Sequence, residues 1–362
     1  MTAEGQPSFS SLSSMSDPTM YPAYAGYSGF VVYKATGTAT GNYLLRADRC
    51  SLKGTQEIDS IKDIDGSIDA TRYALKPFSV SGDISFNLDS SPDSAGYLAF
   101  ERIYQDVVLR SKDGRLLIRE QPGCRNMLVR YGGDVAYEYL DIVPNKMDIE
   151  CSANEALRVT TSFIGRGRRG PFTGTSAEMG NGLSDASGGT NSAPIRVVTY
   201  NDISISIVQS SGNGVNTIMG VDVLPLVKSF TMSIDNQVEA VHTLSGTLAA
   251  YDLIAKKRQI SGSITFLGRN KDVADYAMNH EIYSSSKVGL KIKVRFGNTT
   301  RTLLTLRGVI FKIESMDLTN DVLNSTMSFI ALGDQSIGYE AITGLNSDDG
   351  ANSGAGHPYP FV

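Results

Sequence analysis

The sequence predicts a mainly β protein of the α+β class, in which two tandem homologous domains each form a β-sandwich or barrel. Three observations predict this fold: a long internal repeat, a period-two alternation of apolar and polar residues, and one helical segment in each repeat. The repeat is too long for a solenoid, and each copy is large enough to enclose its own core. We therefore expect each domain to carry one packed helix and one long projecting arm.

The internal repeat is clearest around two glycines, Gly82 in Ser79–Phe86 and Gly262 in Gln259–Phe266, which lie 180 positions apart. Other residues repeat at the same offset or, later in each copy, at an offset of 166. These pairs are Leu52 with Met232, Ile58 with Val238, Ile68 with Leu248, and Phe163 with Phe329. Two fused copies of one domain indicate a subunit that fills two places in a symmetric assembly.

Composition shifts along the chain predict five segments. They are a flexible N-terminal arm (1–27), a first domain (28–165), a Gly/Ser-rich linker (166–194), a second domain (195–335) and a C-terminal tail (336–362). The linker boundary follows from a long run of Gly, Ser, Asn and Thr, which is unusual inside a compact domain.

Alternation predicts the strands of each domain. Val80, Ile84 and Phe86 alternate with polar residues, as strands do when one face is buried and the other is solvated or faces a partner. The glycines interrupt matching strands, which indicates a bulge or a close backbone approach. We take six residues as markers of the core strands: Gly82, Phe86, Phe163, Gly262, Phe266 and Phe329.

One helix is predicted in each copy after the glycine-marked strand. In the first copy Ser91 is a candidate cap, and an apolar stripe follows at helical spacing. In the second copy Asn270 is the candidate cap of a weaker stripe. The stripe residues are Phe100, Ile103, Tyr104, Val107 and Val108 in the first helix, and Val273, Tyr276, Ala277 and Tyr283 in the second.

The arms precede the glycine-marked strands, at residues 54–76 and 235–257. Each carries an apolar row that needs a cover, supplied either by its own domain or by a neighbouring subunit. The predicted inter-subunit or inter-ring contact residues are Ile58, Ile61, Ile64 and Ile68 in the first arm, and Val238, Val241, Leu244 and Leu248 in the second.

Composition argues against several functions. The net charge of −5 leaves no domain basic enough for a dedicated nucleic-acid binder. The three cysteines form no metal-ligand spacing, and the three histidines lie in no pattern that indicates a nucleophile and its base. We expect no catalytic site, no metal and no cofactor, and we expect neither a signal peptide nor a membrane-spanning segment.

The order of these motifs resembles the tail tube proteins of long-tailed bacteriophages, in the branch that fuses two tube domains. The resemblance rests on the strand ending near Leu52, the arm, and the glycine-marked strand. It also rests on Met147–Glu150 leading into Leu157–Gly165, which Met316–Leu318 and Thr326–Ile330 answer in the second copy.

The resemblance implies a structural virion protein, the major tail tube subunit, without enzymatic activity. Three chains would form a pseudo-hexameric ring, and stacked rings would enclose a channel through which DNA passes without sequence-specific binding. Other partners would be the tape measure, baseplate and tail terminator proteins. The protein would belong to the virion tail, assembled in the host cytoplasm, with no membrane partner.

Two other functions stay open from the sequence. A baseplate hub or tail-initiator protein also contains two tube-like domains, and its copy number per virion would distinguish it from a tube subunit. A carbohydrate-binding adhesion protein would need an exposed aromatic cluster, for which Tyr21, Tyr24 and Tyr27 are candidates.

Overall fold

The computed structural model describes large parts of both predicted domains. The described ranges are 30–34, 42–61, 72–91, 94–107, 124–130, 135–173, 196–211, 214–217, 227–244, 248–256, 258–267, 287–296, 299–307, 309–319, 322–331 and 342–347. Strands dominate these ranges, so the predicted mainly β class is confirmed.

The described ranges hold the following elements. The first half contains β1 (Phe30–Lys34), β2 (Asn42–Leu45), β3 (Arg49–Cys50), β4 (Lys53–Ile61), β5 (Arg72–Asn87), α1 (Ala95–Val107), β6 (Arg125–Arg130), β7 (Val135–Ser152), β8 (Arg158–Gly165) and β9 (Gly167–Thr173). The second half contains β10 (Ile203–Ser211), β11 (Gly214–Thr217), β12 (Val227–Asp235), β13 (Glu239–Val241), β14 (Asp252–Ile254), β15 (Gln259–Leu267), β16 (Lys287–Phe296), β17 (Thr299–Arg307), β18 (Val309–Thr319), β19 (Val322–Ala331) and β20 (Ile342–Ser347).

Each half contains a four-stranded antiparallel layer with the same order. In the first half, β4 pairs with β5, β5 with β8, and β8 with the C-terminal part of β7. In the second half the order is β12, β15, β19, β18. Because β7 also pairs with β12, the two layers form one continuous sheet.

The second layer of each half also repeats. The first half has the order β2, β1, β6, β7, β9, where the N-terminal part of β7 takes part. The second half has the order β11, β10, β16, β17, β20. The long strand β7 thus belongs to both layers of its half. In the second half, β17 belongs to one layer and β18 to the other.

The pairing register of the four-stranded layers repeats with the offsets found in the sequence. Lys53 lies opposite Ser81, and Ser233 lies opposite Ser261. Gly82 lies opposite Phe163 in β8, and its counterpart Gly262 lies opposite Phe329 in β19. The duplicated sequence therefore produces duplicated backbone pairing as well as duplicated strands.

Alternation in these strands builds the core, because every second side chain points to the same face. Val80, Ile84 and Phe86 are buried, and one cluster of buried apolar residues extends through both halves. The helix α1 adds the predicted residues Phe100, Ile103, Tyr104 and Val107 to this cluster.

The first predicted helix forms, but its cap differs from our prediction. The backbone N–H of Tyr97 donates to the Ser94 hydroxyl at 3.1 Å, so Ser94 caps the helix where we had predicted Ser91. Both residues are serines near the start of the apolar stripe, which is why the sequence alone did not separate them. The second predicted helix lies outside the described residues.

Two strands lie in segments for which we predicted no regular structure. Strand β9 falls in the predicted linker, where Phe172 packs against a small cluster that includes Val32 and Leu128. Strand β20 falls in the predicted tail and pairs with β17. The glycines and Pro171 in and around β9 suggested a loop, although the strand has an edge position that tolerates them. None of the described helices has the length and apolar character needed to cross a membrane.

Candidate assembly interface

The two joined four-stranded layers end in two strand edges that have no neighbour in the described part of the chain. At one end β18 pairs with β19, and at the other end β3 and β4 pair with β5. Each of these strands therefore offers backbone N–H and C=O groups along one side. Such an edge readily pairs with another chain.

The junction between β7 and β12 shows how such edges join in this protein. Seven residue pairs run from Ser229 opposite Ser152 to Asp235 opposite Lys146. On the buried face Ile149 lies opposite Met232, and both are at most 1% exposed. Beyond the ladder, the N–H of Asn236 donates to the carbonyl oxygen of Asn145 at 2.8 Å.

The second arm forms a short hairpin, β13 with β14, that folds back onto the first half. Val238, Ala250 and Leu253 form a buried cluster with Val143, and Ile164 of β8 packs against it. Backbone contacts fix this placement, because the N–H of Phe78 donates to the carbonyl oxygen of Leu248 at 2.8 Å.

The predicted contact residues of the second arm therefore have different environments. Val238 is buried against its own chain, Val241 is half-buried, Leu244 is fully exposed and Leu248 is 41% exposed. Whether Leu244 and Leu248 contact another chain or ring stays a prediction.

The first arm is the outer part of the hairpin formed by β4 and β5, and it projects apolar residues into solvent. Ile58 is 62% exposed and Tyr73 is 69% exposed. Ile61 ends β4, but its side chain lies outside the described part of the chain, as do Ile64 and Ile68 in full. Their predicted contacts stay predictions.

The charged residues of the first arm form an exposed ion-pair group. Lys76 lies 3.1 Å from both Glu57 and Asp59. The hydrogen bonds to Asp59 and then to Glu57 raise the pKa of Lys76 above its ordinary value. Because these groups are solvated, they contribute little to the stability of the hairpin.

The core-strand markers lie in the paired strands, and most are buried. Phe86, Phe163 and Phe329 are each 1% exposed. Phe266 lies in β15, with its side chain outside the described set. Gly82 has a φ of +155°, and a Cβ there would lie 2.5 Å from the Leu52 Cα. The close backbone approach predicted for this glycine is therefore present.

The opposite face of the sheet is polar and rich in hydroxyl groups. Hydroxyl pairs bridge neighbouring strands at 2.8–3.2 Å: Thr55 with Ser79, Ser85 with Thr160, Thr231 with Ser263, and Thr265 with Thr326. Where β7, β8, β12, β15 and β19 meet, this face contains an open depression of about 670 Å³. Lys146, Asp148 and Glu150 line it, so charges of both signs are interspersed.

One exposed apolar residue of this polar face was not among the predicted contact residues. Ile330 occupies a polar-face position of β19 and is 55% exposed. The signal was available, because an isoleucine follows the buried Phe329 where alternation calls for a polar residue. The same break occurs at Ile164, the matching position of the first copy.

Repeated sheets on a mainly β fold, with edges that are open among the described residues, define a class of subunit suited to edge-to-edge association. The model of the phage tail tube protein family matches residues 26–341 of the chain. Because the match covers well over half of its length, the chain belongs to the phage tail tube protein family. It is a structural component of a virion tail, in a family that assembles into a tube with other tail proteins. Among curated proteins, none matches the chain.

Proposed function

We propose that this chain is the major tail tube subunit of the branch with two fused tube domains. In this proposal three chains form a pseudo-hexameric ring, and stacked rings enclose the channel through which DNA passes. One observation carries it: two copies of a four-stranded layer are already joined edge to edge within the chain, and the outer edges of both copies are open among the described residues.

Edge geometry supports a closed ring. The open edges are different strands, β18 at one end and β3 with β4 at the other, so contact between chains is head-to-tail. Head-to-tail contacts give a ring if the rotation closes and a filament if it does not. Closure into a barrel removes free strand edges altogether.

The polar face suits the channel wall. A surface that lets DNA pass must not hold it, and each lysine or arginine that contacts phosphate strengthens binding. The hydroxyl pairs carry no charge, and Lys146 is accompanied by Asp148 at 2.9 Å. We propose that this face lines the channel and that DNA passes along it without sequence-specific binding.

The tube subunit contacts other chains and other tail proteins. The projecting arms contact an adjacent ring or a neighbouring chain, and the tube ends meet the tape measure, baseplate and tail terminator proteins. Assembly takes place in the host cytoplasm. The chain acts through these contacts, without catalysis.

Electron microscopy of the purified chain tests the proposal. We expect a monomer or trimer in dilute solution and long hollow tubes when the protein is concentrated or seeded, with three chains in each ring. Rings that never stack, present in a few copies per virion, would instead indicate a baseplate hub or tail initiator. A chain that stays monomeric at all concentrations would contradict both functions.

A further inference from the structure

Several exposed apolar residues of this chain have counterparts that are buried at the internal junction. At the offset of 180, Ile58 matches Val238, and Tyr73 matches Leu253. Val238 is 8% exposed and Leu253 is completely buried, whereas Ile58 is 62% exposed and Tyr73 is 69% exposed. The same hairpin is therefore covered in one copy and uncovered in the other.

The two hairpins are equivalent in backbone as well as in sequence. Ala240 lies opposite Leu253 in the second hairpin. In the first hairpin Ser60, which is the counterpart of Ala240, lies opposite Tyr73. Their different exposure therefore comes from their surroundings, because among the described residues the second hairpin packs on the first half of the chain and the first hairpin does not.

The surface that receives the second hairpin is also duplicated. Ile164 packs against the buried cluster formed by Val143 and the second hairpin. At the offset of 166 its counterpart is Ile330, which is 55% exposed. Val143 lies opposite Ile164, and Ile310 lies opposite Ile330, so Ile310 takes the place of Val143.

We propose that the contact between chains repeats the internal junction: β18 of one chain pairs with β3 and β4 of the next, whose first hairpin covers Ile330. This inference rests on the proposed function and adds to it the partner surface and its register. Burial of two isoleucines and a tyrosine provides a driving force that edge hydrogen bonds alone do not supply.

The internal junction also fixes the register between chains. Asp148 lies opposite Ser233, and Ile149 lies opposite Met232. The strand pairings match Asp148 to Ser315 through Thr160 and Thr326, two residues away from the sequence match of Met147–Glu150 to Met316–Leu318. The offset of 180 matches Ser233 to Lys53. Ser315 therefore lies opposite Lys53 of the next chain, and Met316 lies opposite its Leu52.

Paired cysteines test this register in the assembled full-length chain. In the variant Ser315→Cys/Lys53→Cys, mild oxidation should link chains into a covalent ladder that ends at three, because directly opposed residues satisfy disulfide geometry. The pair Ser315→Cys/Thr55→Cys, which is slipped by two residues, should give about tenfold less linkage. The pair Asp148→Cys/Ser233→Cys is the positive control and should link within one chain.

The native cysteines should contribute little to the disulfide cross-linking. Burial raises the pKa of both Cys124 and Cys151 to about 11, so little reactive thiolate is present near neutral pH. The single variants Ser315→Cys and Lys53→Cys measure any linkage through Cys50, which is half-buried.

Substitutions of the exposed isoleucines test the hairpin contact separately. Ile58→Asp and Ile330→Asp should each prevent assembly while leaving the urea midpoint of the monomer unchanged, because both side chains are exposed within the chain. Leu98→Asp is the matched control: Leu98 is 39% exposed on the first turn of α1, away from the junction, and its variant should assemble as the parent does.

The outcomes separate this inference from the proposed function. If tubes form but the slipped pair links as well as the direct pair, or neither links, the register is wrong and the tube function stands. If Ile330→Asp assembles like the parent, the hairpin contact is wrong. If the parent chain never assembles, the tube function fails, and this junction fails with it.

Discussion

At the scale of single residues, matching positions of the two copies have matching backbone roles but different exposure. Gly82 and Gly262 both lie where a Cβ would meet backbone: Leu52 Cα at 2.5 Å in the first copy and the Thr231 carbonyl oxygen at 2.2 Å in the second. Positions that pack inside each copy thus stay alike. Ile58 and Val238 differ because the first projects from the chain and the second is covered by it.

The variant Gly82→Ala should lower the free energy of unfolding by about 2–4 kcal/mol, because backbone strain at positive φ adds to overpacking. The shift in the urea midpoint measures this loss. Gly167→Ala is the control: its Cβ would lie 3.6 Å from Leu140, an ordinary contact, so we expect a change within about 0.5 kcal/mol. Equal effects at the two positions would contradict the close approach at Gly82.

At the scale of elements, the two hairpins have opposite relations to the chain that carries them. The hairpin of β13 and β14 contributes Val238 and Leu253 to a buried cluster with Val143. The outer hairpin of β4 and β5 exposes Ile58 and Tyr73. The outer hairpin of β4 and β5 should therefore be dispensable for folding, whereas the hairpin of β13 and β14 should not be.

Deletion of residues 57–70 should leave the urea midpoint of the monomer nearly unchanged and abolish tubes, because the removed strand residues Glu57, Ile58 and Asp59 are exposed. Deletion of residues 239–254 should destabilise the chain by several kcal/mol, since it removes the buried Leu253. Circular dichroism and electron microscopy report the two effects. Normal tubes from the 57–70 deletion would show that the first arm is not an assembly element.

The strands of the core followed from sequence alone, because alternation records which face is buried. The repeat with its offsets of 180 and 166 is also visible in the sequence, and the strand registers repeat with the same offsets. Strands β9 and β20 were missed, since Gly167, Gly170 and the polar tail resemble loops. Ile330 breaks the alternation of its strand, but the sequence did not reveal its importance, because its 55% exposure depends on the fold around it.

At the scale of the whole molecule, the two four-stranded layers of the described chain place eight strands side by side, from β4 to β18, when β3 and β4 are counted as one edge. Three chains would give a barrel of 24 strands. With a strand spacing of about 4.8 Å and a tilt of about 35–45°, the backbone diameter is about 45–52 Å.

The barrel diameter provides a prediction that cryo-electron microscopy of tubes can check. Side chains of the polar face narrow the opening further, which still leaves room for a DNA duplex. A ring of six chains would have twice the circumference and a backbone diameter of about 90–104 Å. A measured diameter in that range would contradict three chains per ring while leaving the edge pairing intact.

The ladder between β7 and β12 has a kinetic consequence. Since one polypeptide spans this joint, half of the joints in a three-chain collar cannot come apart by dilution. Only three contacts between chains, instead of six, are needed to complete the collar, and each tethered half stays at an effective concentration in the millimolar range even in dilute lysate. In the proposed three-chain ring, covalently linked and non-covalent joints would alternate around the wall, so a protein that binds the exterior would meet threefold symmetry.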